Sequence, residues 1–442
     1  FVVGDYVKVE DDHKDVPVAY WVYPENKNEA LRSFGKTPDM LDYFNKMTGV
    51  SYPFEKYDQI IVSEFMWGGM ENITLTHNSD RTMFDSKAHP DHSSDGLVAH
   101  ELAHQWFGDM ITTRNWANIW LNEGFATFFS RLYLTKDRGD DEGDYIRLGE
   151  IRSFKRADKN KRRPTVDYVY DEPFELFSSH VYAKGSLILT MLRDVLGEDG
   201  FWRSIRNYTN ENKLKNVETT DLKKMIEMTT GQNLDWFFKQ WLYEPGFPSY
   251  DVSWTYNQRK KELSIHVKQM QDLKTASLFK MPIKILVDSG DKKEHIIWVE
   301  DLDSVYKIKS EKRPKMVIFN SGQKVPSNLK MQKSVADLKY QLKKASNSLD
   351  RIWAAQELSK KKGRKVVEYT LLEAAKNDSF WAVRSEAYYA LGRLKTNITS
   401  EDIDWIKDKE KDNRVKRSFI KILKHQKNNL EVSKFLEDII IS

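Results

Sequence analysis

The sequence predicts a multidomain α+β protein, with a mainly helical body, then a small β-sandwich, then a second helical array. Three observations predict this. The chain has 442 residues, beyond the size at which one hydrophobic core keeps growing. The apolar pattern is mostly helical up to Tyr243, alternates in twos after Pro245-Gly246-Phe247-Pro248, and turns helical again near residue 330. Aromatic residues are plentiful, at 13 Trp, 20 Tyr and 22 Phe, enough to build several cores and too many for a disordered chain.

Residues 1–10 read as one strand without a partner. A lone strand is not stable, so the expectation is the last strand of an N-terminal β-domain lying upstream, together with any signal peptide. Residues 11–248 read as the helical body. Thr37-Pro38 opens one of its helices and Gly49 closes it. A strand pair interrupts it, at 57–64 and 73–77, with Gly68-Gly69 between. Residues 249–327 alternate, as in Leu263-Ser264-Ile265-His266-Val267, and carry turn signals at the spacing of a β-sandwich. Residues 328–442 are helical. There Arg351–Leu358, Trp381–Leu391 and Arg414–Leu423 share an apolar and basic pattern, at an interval near that of paired-helix solenoids, which suggests a HEAT-like helical repeat.

Composition narrows the chemistry. The formal net charge is only +4, which gives no reason to expect nucleic acid or a membrane surface as partner. No apolar run approaches the ~18 residues of a spanning helix. There is no cysteine, so disulfides and thiolate metal sites are excluded and a metal would rely on His and carboxylate. The basic runs Lys155–Arg163 and Lys360–Lys365 lack interleaved aromatics and read as solvated loops. Neither compartment nor oligomeric state is encoded in any motif.

The strongest motif is His100-Glu101-Leu102-Ala103-His104, set among apolar residues from Leu97 to Phe107. Residues four apart share a helix face, so His100 and His104 can aim two imidazoles at one ion, with Glu101 beside them. The pattern also arises by chance, as a polar patch on a helix. In an apolar helix, however, unpaired charge is costly. Two histidines leave a catalytic zinc under-held. The candidate third ligand is Glu123 in Trp120-Leu121-Asn122-Glu123-Gly124-Phe125-Ala126, with eighteen residues between His104 and Glu123. Asn122 reads as the cap of a second helix that would bring Glu123 beside the pair.

Two weaker features accompany it. Trp67-Gly68-Gly69-Met70-Glu71-Asn72 follows a strand. Gly-Gly between strands is usually a turn, but it also permits close backbone approach, so Gly68, Gly69 and Met70 could receive an extended peptide while Glu71 pairs with an ammonium group. Tyr182 precedes Ala183-Lys184-Gly185. By itself, such a tyrosine is more often packing than catalysis.

Together and in this order, Gly68-Gly69-Met70-Glu71-Asn72, His100-Glu101-Leu102-Ala103-His104, Trp120 to Ala126 and Tyr182-Ala183-Lys184-Gly185 resemble the zinc aminopeptidase family of aminopeptidase N. The leukotriene epoxide hydrolase also belongs to this gluzincin family. The motif-level similarity covers residues 60–248, and the Gly246-Phe247-Pro248 turn resembles the end of the family's catalytic domain. The resemblance implies a thermolysin-like catalytic domain with one Zn2+ on His100, His104 and Glu123. It implies Glu101 as general base, Tyr182 as donor to the oxyanion and Glu71 as anchor for the amine of peptide substrates with a free N-terminus. Gly69 departs from the Ala of most members and matches the epoxide hydrolase branch. The family's preceding β-domain is represented only by residues 1–10. Three alternatives stay open. They are an endopeptidase, which Glu71 argues against; an epoxide hydrolase, which the β-sandwich argues against; and a non-enzymatic scaffold, which the intact zinc set argues against.

Overall fold

A computed structural model describes residues 2–88, 91–424 and 430–441. The chain forms two compact units: Phe1–Pro248 with Gln271–Lys280, and Ser249–Met270 with Met281–Ser442.

The first unit opens with strands β1 (Val7–Asp11) and β2 (Val18–Val22), helices α1 (Ala30–Phe34) and α2 (Thr37–Thr48), and strands β3 (Tyr57–Val62), β4 (Gly69–Met70) and β5 (Leu75–Ser79). These strands form one sheet in the order β1-β2-β3-β5-β4. β2 and β3 are rich in β-branched and aromatic residues and are buried at nearly every position, with Asp58 and Gln59 of β3 among the buried polar groups, as central strands buried on both faces require. The opening strand therefore differs from its sequence reading. It is no lone strand, because β1 pairs antiparallel with β2 from Val7↔Val22 to Asp11↔Val18. Its partner lies within residues that read as helical, and a strand's partner leaves no local signal. The short β4 pairs only with β5 and forms the other edge.

Helices α3 (Asp95–His104), α4 (Trp120–Arg138), α5 (Asp140–Asn160), α6 (Ala183–Glu211, broken at Gly197), α7 (Thr219–Thr230) and α8 (Asp235–Phe238) follow, with short strands β6 (Ile111–Thr113) and β7 (Lys215–Val217) among them. α3 packs on α4, and α4 on α6. Phe125, Phe128 and Phe129 of α4 are almost fully buried; each such side chain contributes about 1.5–3 kcal/mol of transfer free energy. α4 begins at Trp120, three residues before Glu123, and Asn122 lies inside its first turn. Gly49 closes α2 with a left-handed φ of 71°.

The basic run Lys155–Arg163 is not a solvated loop. It ends α5; the Lys155 ammonium lies 5.5 Å from the Phe247 ring centroid, and Arg163 is buried against Asp167. Residues 360–365 do form a largely exposed turn.

The second unit carries strands β8 (Ser249–Asn257), β9 (Glu262–Gln269), β10 (Met281–Asp288), β11 (Lys292–Val299), β12 (Asp303–Lys309), β13 (Met316–Phe319) and β14 (Asn328–Met331). They form a four-stranded sheet, β12-β9-β8-β14, and a three-stranded sheet, β11-β10-β13. Tyr250 of the first meets Phe319 of the second at 5.1 Å, so the two sheets share a core. Helices α9 (Val335–Lys344), α10 (Ser348–Leu358), α11 (Lys365–Asn377), α12 (Trp381–Leu394), α13 (Ser400–Asp408), α14 (Asn413–Leu423) and α15 (Leu430–Ile441) complete the unit. α12 packs against α10, α11 and α14. No described helix is long and apolar enough to cross a membrane.

Candidate active site

α3 is apolar on nearly every side and therefore buried, which forces its polar residues to find partners inside the protein. One helical turn separates His100 and His104, and their Nε2 atoms approach to 3.2 Å. The Oε2 atom of Glu123, from the first turns of α4, lies 3.3 Å from His100 Nε2 and 3.4 Å from His104 Nε2. This triangle is the test of a metal. A tetrahedral ion with ligands at ~2.0–2.2 Å sets neighbouring ligand atoms about 3.3–3.6 Å apart. Among the described residues Glu123 Oε2 is buried without a hydrogen-bond partner. His104 Nδ1 lies 3.0 Å from the Phe107 carbonyl, which fixes the tautomer with Nε2 bare. The donor set therefore fits a divalent cation such as zinc.

The helix crossing explains why Glu123 and Tyr182 meet. A Cβ on Gly124 would lie 2.9 Å from Gly185 Cα, so only glycine pairs let α4 and α6 approach this closely. Glu123 precedes one glycine and Tyr182 stands just before α6. The Tyr182 ring stacks on His100 at 6.0 Å. Burial and the facing Glu123 carboxylate hold its hydroxyl protonated, with the pKa raised above the usual tyrosine range.

The electrostatics follow from burial and crowding. Burial pushes the Glu101 carboxyl up to about 8. Burial opposes the charge of Glu123, but the adjacent imidazoles outweigh it and hold the pKa near about 2. Burial likewise opposes His104, yet the Glu71 and Glu123 carboxylates raise it well above its ordinary value. Burial lowers His100.

Glu71 follows the edge strand β4, with Oε1 3.8 Å from His104 Nδ1. Glu71, Glu101 and His104 offer ligand-type atoms within 4.8 Å of one another. Gly69 lies against Glu101 so closely that a Cβ there would meet Glu101 Oε1 at 2.3 Å, so a larger residue would require the Glu101 side chain to shift. Thus His100, Glu101, His104, Glu123, Tyr182, Gly68, Gly69, Met70 and Glu71 all line one cavity of about 1170 Å³.

Sequence reasoning missed two residues here. Gln105 Nε2 donates to the Glu71 carbonyl at 2.9 Å and to Asp109 at 2.6 Å, while its Oε1 accepts from Tyr52 at 2.9 Å. Asp109 is pushed up to about 8, first by burial and then by Glu71. A buried Gln next to the His pair was the available signal.

A helix-borne His pair completed by a carboxylate from the next helix, beside an edge strand, is a candidate metal centre. Residues 32–241 match the description "Peptidase family M1 domain". A probable aminopeptidase 1 of Sulfurisphaera tokodaii is 30% identical over 57% of this chain and 33% of its own length. Glutamyl aminopeptidase of Bos taurus is 31% identical over 54% of this chain and 26% of its own. The crystal structure of Legionella pneumophila aminopeptidase A in complex with aspartic acid superposes with a TM-score of 0.74 at 18% identity, over 99% of this chain and 52% of that one, a likeness of fold. The chain thus spans about a third or less of the curated relatives and about half of the solved one.

Proposed function

We propose that the protein is a zinc-dependent aminopeptidase that hydrolyses the first peptide bond of peptides with a free N-terminus. The observation that carries this reading is the Glu71 carboxylate 3.8 Å from the His104 ring, within the same cavity as the His-His-Glu triangle. His100, His104 and Glu123 would hold the one Zn2+. When bound, zinc supplies Lewis acidity and eases deprotonation of water near neutral pH.

The chain's own residues do the rest. Glu71 binds the substrate ammonium and fixes the register, so that only the first carbonyl reaches the triad. Gly68, Gly69 and Met70, on an unpaired edge, give the substrate backbone hydrogen-bond partners. Glu101 takes a proton from the attacking water and returns it to the leaving amine; burial raises its basicity toward the working pH. Tyr182 donates its hydroxyl hydrogen to the oxygen that becomes negative. Removing such a donor typically costs ~2.7–4 kcal/mol in the transition state.

The relatives' names support an aminopeptidase, and we extend that activity to this chain as part of the proposal. The same reading takes residues 11–248 as a thermolysin-like catalytic domain, 249–327 as a β-sandwich domain and 328–442 as a HEAT-like repeat domain.

The test is hydrolysis of an aminoacyl-anilide and of a peptide, each with free and acetylated N-terminus, before and after a chelator. The free forms are expected to be cleaved, the acetylated forms to be poor substrates, and zinc to restore activity lost to the chelator. Equal cleavage of free and acetylated peptides would remove the role given to Glu71.

A further inference from the structure

The cavity does not end at the triad. It continues as an arm lined by Gly96, Thr127, Ser130, Arg131, Gly149 and Glu150. Helix geometry gives its direction. Gly96 lies eight residues before His104 on α3, and Arg131 eight residues after Glu123 on α4, so each sits ~12 Å along its helix. Ser130 Oγ donates to the Gly96 carbonyl at 2.6 Å, so the two helices run side by side and both counts lead the same way. Glu71 lies at the opposite end of α3, tied to Gln105. A substrate with its amine on Glu71 and its first carbonyl at the triad therefore points its second residue into the arm.

Two features indicate that the arm is built to be filled. Gly149 sits in the middle of α5, where glycine is less favourable than alanine. No packing demands it, because a Cβ there would meet nothing within 4 Å. It is exposed and presents only backbone to the cavity, so a larger side chain there would project into that space. The arm's end is polar and buried. Arg131 Nε donates to Glu150 Oε1 at 2.9 Å, and Nη2 donates to Ser186 at 3.1 Å and Thr190 at 2.6 Å. Ser186 in turn donates to Glu150 Oε2 at 3.0 Å. Both Glu150 oxygens are engaged, and among the described residues Nη1 is the guanidinium nitrogen without a hydrogen-bond partner. Arg131 lines the cavity, so Nη1 is a donor available to a ligand there, and a side chain that fails to meet it forfeits the bond.

We propose that this arm is a specificity pocket for the second residue of the substrate, and that it takes a long side chain ending in an acceptor oxygen, as in glutamine or glutamate. The inference rests on the aminopeptidase reading, which gives the substrate its direction.

The experiment compares Leu-Gln-Ala-amide, Leu-Gly-Ala-amide and Leu-Lys-Ala-amide on the zinc-loaded 442-residue chain. The expected kcat/KM preference for Gln over Gly is about 10-fold, in the range that a side-chain pocket with a buried donor supplies. Arg131→Gln would strand the buried Glu150, so the decisive variant is Gly149→Leu, which fills the arm and should bring the Gln/Gly ratio close to one. A second readout does not need turnover: calorimetric Kd values of the same peptides for Glu101→Gln, and for Glu101→Gln with Gly149→Leu. They should show the same preference and its loss. Cleavage without discrimination, preference for Lys, or a ratio untouched by Gly149→Leu overturns the pocket. Selective, Gly149-dependent binding without any cleavage by the parent would instead overturn the aminopeptidase reading and leave the pocket standing.

Discussion

The candidate metal triad and the Glu71 carboxylate stand 3.8 Å apart at their nearest, yet they are held in different ways. The triad is set by the core. α3, α4 and α6 pack through apolar faces and a Gly124–Gly185 crossing, and the side chains of His104 and Glu123 are 1% and 6% exposed. Glu71 is 17% exposed and belongs to the rim, next to a two-residue edge strand steadied by the Gln105 amide. A metal tolerates errors of only a few tenths of an ångström in its ligands, and close-packed helices supply that precision. An ammonium group demands less. A charged contact on an adjustable edge can serve peptides of different sequence.

Changes in the floor should therefore damage chemistry, and changes in the rim should damage substrate capture. The largest effect is expected at Glu101. Glu101→Gln should keep the bound zinc, measured by metal analysis, and lower kcat by ~10²–10⁴-fold. Tyr182→Phe should lower kcat more than it changes KM. If it raises KM alone, its hydroxyl is a ground-state contact and belongs with the rim.

At the rim, Glu71→Ala should weaken capture of free-amine substrates by about 2–5 kcal/mol, read as kcat/KM, if the ammonium pair is desolvated. Zinc content should be unchanged. A loss of zinc on this substitution would break the comparison, because the two regions would then share one scaffold.

The sequence made the floor more legible than the rim or the arm, for physical reasons. His100 and His104 stand one turn apart, and helix geometry converts that spacing directly into a shared face. Glu123 was readable as a lone carboxylate in an apolar run. The opening strand was misread because its partner, Val18–Val22, is set by nonlocal pairing. Gln105 and Asp109 escaped notice because a hydrogen-bond network across α3 and β4 has no sequence period. Gly149 carried a faint signal, a glycine in the middle of a 21-residue helix, but the space in front of it depends on three other helices.

A stability effect is expected beneath the floor. Lys184 follows Tyr182 by two residues on α6 and is fully buried. Its Nζ has no hydrogen-bond partner among the described residues and lies 5.3 Å from the Phe154 ring centroid. Burial lowers its pKa from 10.5 to about 7, with Asp158 only partly opposing this. Between those values the unfolded chain holds a proton that the folded chain does not. Stability should therefore fall as pH drops from 10.5 toward 7, by at most ~1.4 kcal/mol per pH unit, and this contribution should level off below pH 7. Lys184→Met keeps the length of the side chain and removes the titration. Urea midpoints of parent and variant at pH 7, 8 and 9 should converge as pH rises, with the variant more stable at pH 7. Parallel curves would mean that the ammonium is solvated in the folded protein, and the floor would then be less tightly sealed than its packing implies.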